Sequence, residues 1–312
     1  MTTEQWAHFS NYAMGSAYMV LFLALFAHVI EILLARQAVK RSSLESVAAG
    51  GSLVESPAAE DDVAGAPDRW SGMGVSLTAL GTLLLIGASV TRGIATARAP
   101  FGNMYEFGMT GTAIALAVYL VLVWRWQIQW LAATVLAISL VVLTLSISTY
   151  VPAGPLVPAL NTYWKWIHVG SIMTAAAMFL VGAAASVLFL VKDRSEATGR
   201  TSGFLVRFPE SAKIDQIAFR ANAIGFPLWT FGALIAGPIW AHLAWGRYWG
   251  WDPKEVWALI TWAVYAGYLH ARVTAGWKGR RAAVIGLVGF GTFIMSYYIV
   301  NLFAAGMHSY GK

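Results

Sequence analysis

Residues 245–255 read Trp-Gly-Arg-Tyr-Trp-Gly-Trp-Asp-Pro-Lys-Glu, between two long apolar runs. Three tryptophans and a tyrosine in so few positions offer flat aromatic faces, which suit a large planar ligand. The competing account is anchoring at a bilayer edge, where Trp and Tyr collect in any membrane protein. Gly246 and Gly250 leave room for close approach. Asp252, Pro253 and Glu255 have the order of an N-cap, a first-turn proline and a capping-box partner, so the loop is predicted to be held by the helix that follows it. Trp245, Arg247, Tyr248, Trp249, Trp251 and Asp252 are the candidate binding residues of this stretch.

Six histidines stand at positions 8, 28, 168, 242, 270 and 308. Neutral imidazole is a common metal ligand and holds haem iron in many proteins, so their depths matter. His168, in Trp-Lys-Trp-Ile-His-Val-Gly-Ser-Ile-Met, opens an apolar run at the end where the Trp-rich loop lies, and His308 follows the last run on the same side. For either one alone, a polar residue reaching water at the membrane edge is an adequate account. His270 falls 15 residues beyond Glu255, roughly 22 Å at helical rise. An ionisable side chain at that depth is a functional hypothesis by default. His28 has Glu31 one turn away on nearly the same face, and the two can satisfy each other inside a bundle. It is the reserve ligand at that depth. His8 reads as an exposed terminal residue, and His242 as a third histidine beside the loop.

The elements that must position these groups are membrane spans. The chain of 312 residues is 58% hydrophobic and 12% charged, with a mean hydropathy of +0.62, about half the usual charge of a soluble domain. Runs long enough to cross about 30 Å of hydrocarbon occur near Tyr12–Leu34, Trp70–Val90, Tyr105–Trp124, Ile128–Thr149, Ile167–Val191, Ala221–Trp240, Glu255–Ala271 and Ala282–Phe303. The expected fold is an all-α polytopic membrane protein of about eight transmembrane helices. An even number puts both termini on one side. If that side is outside, only Arg92, Arg98, Lys165, Arg247, Lys254 and Lys312 of the 21 basic residues are external. The positive-inside rule therefore favours external termini and a Trp-rich loop on the outer face. The net charge of +6 needs no nucleic acid to explain it.

Residues 37–68 read as a flexible cytoplasmic linker, dividing the chain into a first span plus linker (1–69) and a seven-span membrane domain (70–312). A short amphipathic piece around Phe204–Phe219 is expected along the inner surface. Outside, the turn Arg98-Ala-Pro-Phe-Gly-Asn-Met-Tyr-Glu, the proline-interrupted stretch Val151–Trp166 and the tail Gly306-Met-His-Ser-Tyr-Gly are expected to build one vestibule with the Trp-rich loop. No cleavable signal peptide is evident, and no internal repeat. Cysteine is absent, so thiol exchange or thiolate ligation must come from elsewhere.

The string Trp-Gly-x-x-Trp-x-Trp-Asp-Pro-Lys-Glu-x-Trp-Ala-Leu-Ile-Thr-Trp resembles the WWD motif of the haem-handling proteins of cytochrome c maturation, and within them the CcsA/ResC type. Three further matches join it: the His168 and His308 contexts resemble the family's two outer axial histidines, Tyr-Leu-His270-Ala-Arg its inner haem ligand, and Pro100-Phe-Gly-Asn-Met-Tyr-Glu its outer turn bearing Asn103, Tyr105 and Glu106. His242 departs from the acidic or amide residue expected there. The resemblance runs from about residue 70 to the C-terminus. It implies haem b (Fe-protoporphyrin IX) held between His168 and His308 on the aromatic shelf. Arg98, Arg247 and Lys254 can pair with its propionates; the alternative for them is lipid headgroup binding. The resemblance also implies a second haem at His270, whose opposing ligand comes from a ResB-type partner. The implied function is the haem-delivery subunit of a system II cytochrome c synthetase, a haem lyase. It would present haem for thioether attachment to an apocytochrome c Cys-x-x-Cys-His segment kept reduced by a thioredoxin-like protein, in a bacterial plasma membrane and among its lipids.

Two other classes stay open on the residues alone. A membrane di-haem electron-transfer protein, quinol oxidoreductase-like, also needs histidine pairs, but would retain its haem where an assembly factor loses it. A cofactor-free solute transporter would be colourless, and would leave the histidines around the Trp-rich loop without a purpose.

Overall fold

A backbone in hydrocarbon must satisfy its polar groups internally, and apolar runs of this length do so as helices. A computed structural model of the chain describes residues 1–48, 69–154, 162–199, 205, 207–304 and 306, and among them all regular structure is helical. Helices α1 (Thr3–Ala48), α2 (Arg69–Thr96) and α3 (Met104–Trp126) are followed by a 3-10 turn, Gln129–Leu131, that leads into α4 (Ala132–Ser148). Then come α5 (Tyr163–Ala197), α6 (Ser211–Trp229), a π-helical turn (Thr230–Ala236), α7 (Gly237–Trp245) and α8 (Pro253–Val273). The last element is α9 (Arg280–Ile294), continued by a second π-turn (Met295–Ile299) and α10 (Val300–Phe303).

Seven of these segments are long and apolar enough to cross a membrane. The eighth expected span is α8, whose 21 residues reach about 32 Å at helical rise. It is more polar than the rest, carrying Lys254, Glu255, His270 and Arg272, and it packs against α6, α9 and both π-turns.

α1 lies along α2, with Gly81 directly under Leu21: a Cβ there would stand 2.6 Å from that side chain. Two sequence expectations change at this level. The linker expected over 37–68 is helical through Ala48, because its first part is made of good helix formers such as Ala, Arg, Gln and Lys; 49–68 lie outside the described residues. The piece expected along the surface is also different, since Ser211–Phe219 opens α6 and runs without a break into the span. Ile214, Ile217 and Ala218 are buried there, and α5 is the helix that covers them. Phe204 lies outside the described residues.

One end of the bundle is laced by ion pairs: Asp215 with Arg272 at 2.8 Å, Asp193 with Arg280 at 2.7 Å, and Glu31 with Arg207 at 3.5 Å. His28 donates to this last group through Nδ1, 3.0 Å from Glu31 Oε2, with its ring buried against Gly74 of α2. At the other end Glu106 is fully buried and accepts from Arg92 Nε at 3.0 Å, from Arg98 at 2.6 and 3.1 Å, and from the Gly102 amide at 2.7 Å. Asn103 caps α3 by accepting from the Glu106 amide. This network ties the 97–103 turn to the stretch after α4, because Arg98 also donates to Gly154 O.

Candidate functional site

The Trp-rich loop is set by two backbone positions that glycine or strain must supply. Gly246 ends α7 in the left-handed region at φ +74°, its amide donating to His242 O. Trp251 is also left-handed, at φ +55°, which is uncommon for a bulky side chain and costs about 1–3 kcal/mol. The cause lies on either side of it: the amides of Gly250 and Asp252 both donate to Glu255 Oε2, at 2.8 and 3.0 Å. One carboxylate oxygen thus grips the backbone around Trp251 and turns its indole outward, 69% exposed. Asp252 completes the predicted capping box at the start of α8. The Arg247 guanidinium lies over Gly250, where a Cβ would come 2.2 Å from Cζ, so a larger residue there would displace the arginine.

Beneath the loop is a cavity of about 220 Å³. Its wall includes His168, Trp240, Tyr248, Trp249, Lys165, Lys254 and Glu255, and its floor includes Met173, Leu180, Ile138, Phe290 and Phe293. Both π-turns contribute, through Ala233 and through Ser296, Tyr297 and Tyr298. Such turns are rare in helices and gather at functional sites.

The first π-turn gives His168 its orientation. Gly232 O accepts from the Gly237 amide in the wide π pattern and from His168 Nδ1 at 2.8 Å. A carbonyl can only accept, so Nδ1 carries the proton and the neutral ring keeps its lone pair on Nε2, the nitrogen that can bind a metal. The imidazole stacks on Trp240 at 5.5 Å and 13°, and Trp240 meets Trp245 edge-on at 4.8 Å. On the loop side His242 stacks on Tyr248 at 4.2 Å and 6°, and Trp249 meets Trp251 at right angles. His168, Tyr248 and Trp249 therefore share one cavity, with Trp245 packed behind Trp240. Trp251 and Arg247 do not line it: Trp251 packs edge-on against Trp249, and Arg247 lies over Gly250.

Other candidates are placed elsewhere. His308 lies outside the described residues, although Gly306 sits against Asp252, close enough that a Cβ would be 2.4 Å from Oδ2. His270 is exposed on the outside of α8, 3.4 Å from Thr274 Oγ1, and does not line the cavity. Arg98, read from sequence as available to an anion, is committed to Glu106. Gly232, Trp240 and Lys165 were missed by sequence reasoning. For Lys165 there was a signal, its place three residues before His168; for Gly232 there was none, because a π-turn has no pattern of side chains.

Among the described residues no three His, Cys, Asp or Glu side chains converge to hold a metal ion. Among the described residues the cavity wall carries one imidazole, His168, on an aromatic and apolar surface with two lysines at its edge. That suits a metal arriving already chelated in a flat, apolar macrocycle with acidic substituents.

Comparison with known proteins identifies the family. A family profile described as "Cytochrome C assembly protein" matches residues 102–308. The "Cytochrome c biogenesis protein CcsA" of Synechococcus elongatus is 42% identical over 200 residues, 51% of this chain and 61% of that protein's length. The protein so described in Guillardia theta is 36% identical over 259 residues, 77% of this chain and 85% of its own length. The solved structure titled "Cytochrome c Heme Lyase CcmF" superposes with a TM-score of 0.64 over 96% of this chain and 47% of that one. At 15% identity, that likeness is one of fold.

Proposed function

The chain belongs to the cytochrome c assembly family, and from that premise we propose that it binds haem b as its substrate, through His168, and presents it for attachment to apocytochrome c. The observation that carries this reading is the His168 ring. Its Nδ1 is held by Gly232 O and its face lies on Trp240, at the wall of a cavity with an apolar floor. His308 is proposed as the second axial ligand, supported by the approach of Gly306 to Asp252 beside the loop. Haem then carries its vinyl groups to the apocytochrome, whose two cysteine thiols add across them. The chain's own residues do the positioning: His168 holds the iron, Trp249 and Tyr248 cover the ring face, and the exposed Trp251 offers the incoming peptide an aromatic edge. With no cysteine of its own, the chain relies on a thioredoxin-like protein to keep the substrate thiols reduced.

His270 is proposed to ligate haem at a second, inner site. Its exposure on α8 supports a shared site, in which a ResB-type subunit supplies the opposing ligand.

The test is the absorption spectrum of protein purified with its partner. A His168→Ala variant should lose low-spin haem from the outer site and cease to mature cytochrome c, and millimolar imidazole should restore part of both, since a free ligand pays the association entropy that a tether avoids. Wild-type haem content and maturation in His168→Ala would remove the proposal.

A further inference from the structure

The cavity extends well past His168. α5 lines it on one face from Lys165 to Leu180, which is halfway along that helix, a run of about 22 Å at helical rise. The part lined by α3, α4 and α5 beyond His168 is apolar apart from Thr112 and Ser139, and Gly108, Gly111 and Ala115 of α3 leave it open because their side chains are small or absent. We infer that an acyl chain of a membrane phospholipid occupies this lower slot, entering sideways from the bilayer between α4 and α9. The site goes beyond the haem reading, which concerns the upper wall.

Two groups of helices flank the slot. α4 packs on α1, α3 and α5, whereas α9 packs on α5, α6 and α8, and α5 is the one helix, among the described residues, packed on both. It forms the back wall, and the front faces the membrane. Only near the loop end are the flanks bridged, where Asn301 of α10 donates to Met104 Sδ of α3 at 3.1 Å. The outer faces of both flanks suit hydrocarbon: Val141 and Leu145 on α4, and Val284 and Val288 on α9, are exposed within membrane-spanning segments.

Acyl tails are the solvent at this depth. An apolar void stays dry, and left empty it forfeits the dispersion contacts that its lining atoms would otherwise make. A tail entering the slot restores them. Room suffices, since a cavity of about 150 Å³ already takes benzene and this one has about 220 Å³. Width decides against a partner's helix. Val169, Met173, Ala177 and Leu180 on the back wall are each 8% exposed or less, whereas a groove that receives a helix about 10–12 Å across would lay that face open.

The experiment reconstitutes the full chain in nanodiscs of phosphatidylethanolamine and phosphatidylglycerol, with a fraction of the phosphatidylglycerol carrying a diazirine at the end of one acyl chain, and maps the adducts by mass spectrometry after irradiation. Met173, Ala177 and Leu180 should carry adducts alongside the bilayer-facing Val141. Ala115→Leu and Ala176→Leu fill the slot from different walls. Each should lower back-wall labelling about fivefold or more, because a chain entering a filled slot meets overpacking of about 1 kcal/mol or more, while Val141 labelling stays. Val121→Phe, at a position 59% exposed on α3, should change neither. A back wall without adducts in the wild type, a result that needs no variant, overturns the site; so do adducts that persist in both filled variants. Adducts that vanish in the complex with the partner subunit assign the slot to a partner's helix and overturn the lipid site as well. Haem is read from the absorption spectrum of the same discs: haem bound above a bare back wall overturns the lipid site alone, whereas adducts in discs that take up no added haem support the lipid site and count against the haem reading.

Discussion

His168 owes its usable nitrogen to a carbonyl on another helix. Gly232 O sits in a π-turn, accepting the Gly237 amide and the imidazole together, so ring orientation depends on how tightly that turn packs. Gly237 is the sensitive point: a Cβ there would stand 3.0 Å from His168 Cε1 and Nδ1, tighter than an unstrained contact. Gly237→Ala should therefore shift the ring and weaken haem binding several-fold while the protein still accumulates in the membrane, since alanine otherwise favours a helix by up to about 1 kcal/mol. Gly170→Ala, two residues from His168 with nothing within 4 Å of the new methyl, is the matched control. Equal haem spectra for the two variants would show that the π-turn does not position the ring.

Helix ends decide whether the outer loops keep their shape. Glu106 lies in the first turn of α3 and gathers Arg92 of α2, Arg98 of the turn and the Gly102 amide into one buried network. Replacing it with glutamine keeps the shape and removes the charge, which leaves two buried guanidinium groups without a counter-ion. Breaking a buried pair from one side costs about 3–5 kcal/mol. Glu106→Gln should accordingly melt well below the wild type in detergent, with haem binding lost in proportion to the folded fraction; an unchanged melting temperature would mean that the network is not structural. The Trp-rich loop depends on a smaller brace, the Glu255 carboxylate that grips the amides either side of Trp251. This explains how a residue at the start of α8 orients an indole four positions earlier.

Among the described residues, the seven long apolar segments and α8 bring the 97–103 turn, the 149–154 stretch, the Trp-rich loop and Gly306 to one end. The Asp193, Asp215 and Glu31 ion pairs lie at the other. For the orientation we propose that the loop end faces outside, because only six of the 21 Lys and Arg residues belong with it. The cysteine-free chain allows a clean test. Tyr163→Cys and Tyr248→Cys, at positions 67% and 58% exposed, should react with an impermeant thiol reagent in intact cells, whereas Thr198→Cys and Ala275→Cys should react only after lysis; the reverse pattern would invert the orientation. Much of this protein was legible along the chain. Spans are visible because hydrocarbon requires about 20 apolar residues in sequence, and the capping box at Asp252 is visible because its partners are three residues apart. The Trp-rich string and the residues immediately around His168, His270 and His308 carried the family resemblance for the same reason, as patterns local in sequence. Three features arose only from packing. The partner of His168 is 64 residues away, Arg98 is drawn to Glu106 by the fold of a turn, and Lys165 and Lys254 meet in one cavity from helices far apart in the chain. Such pairings depend on which helix faces meet, and a sequence read along one dimension carries no record of that.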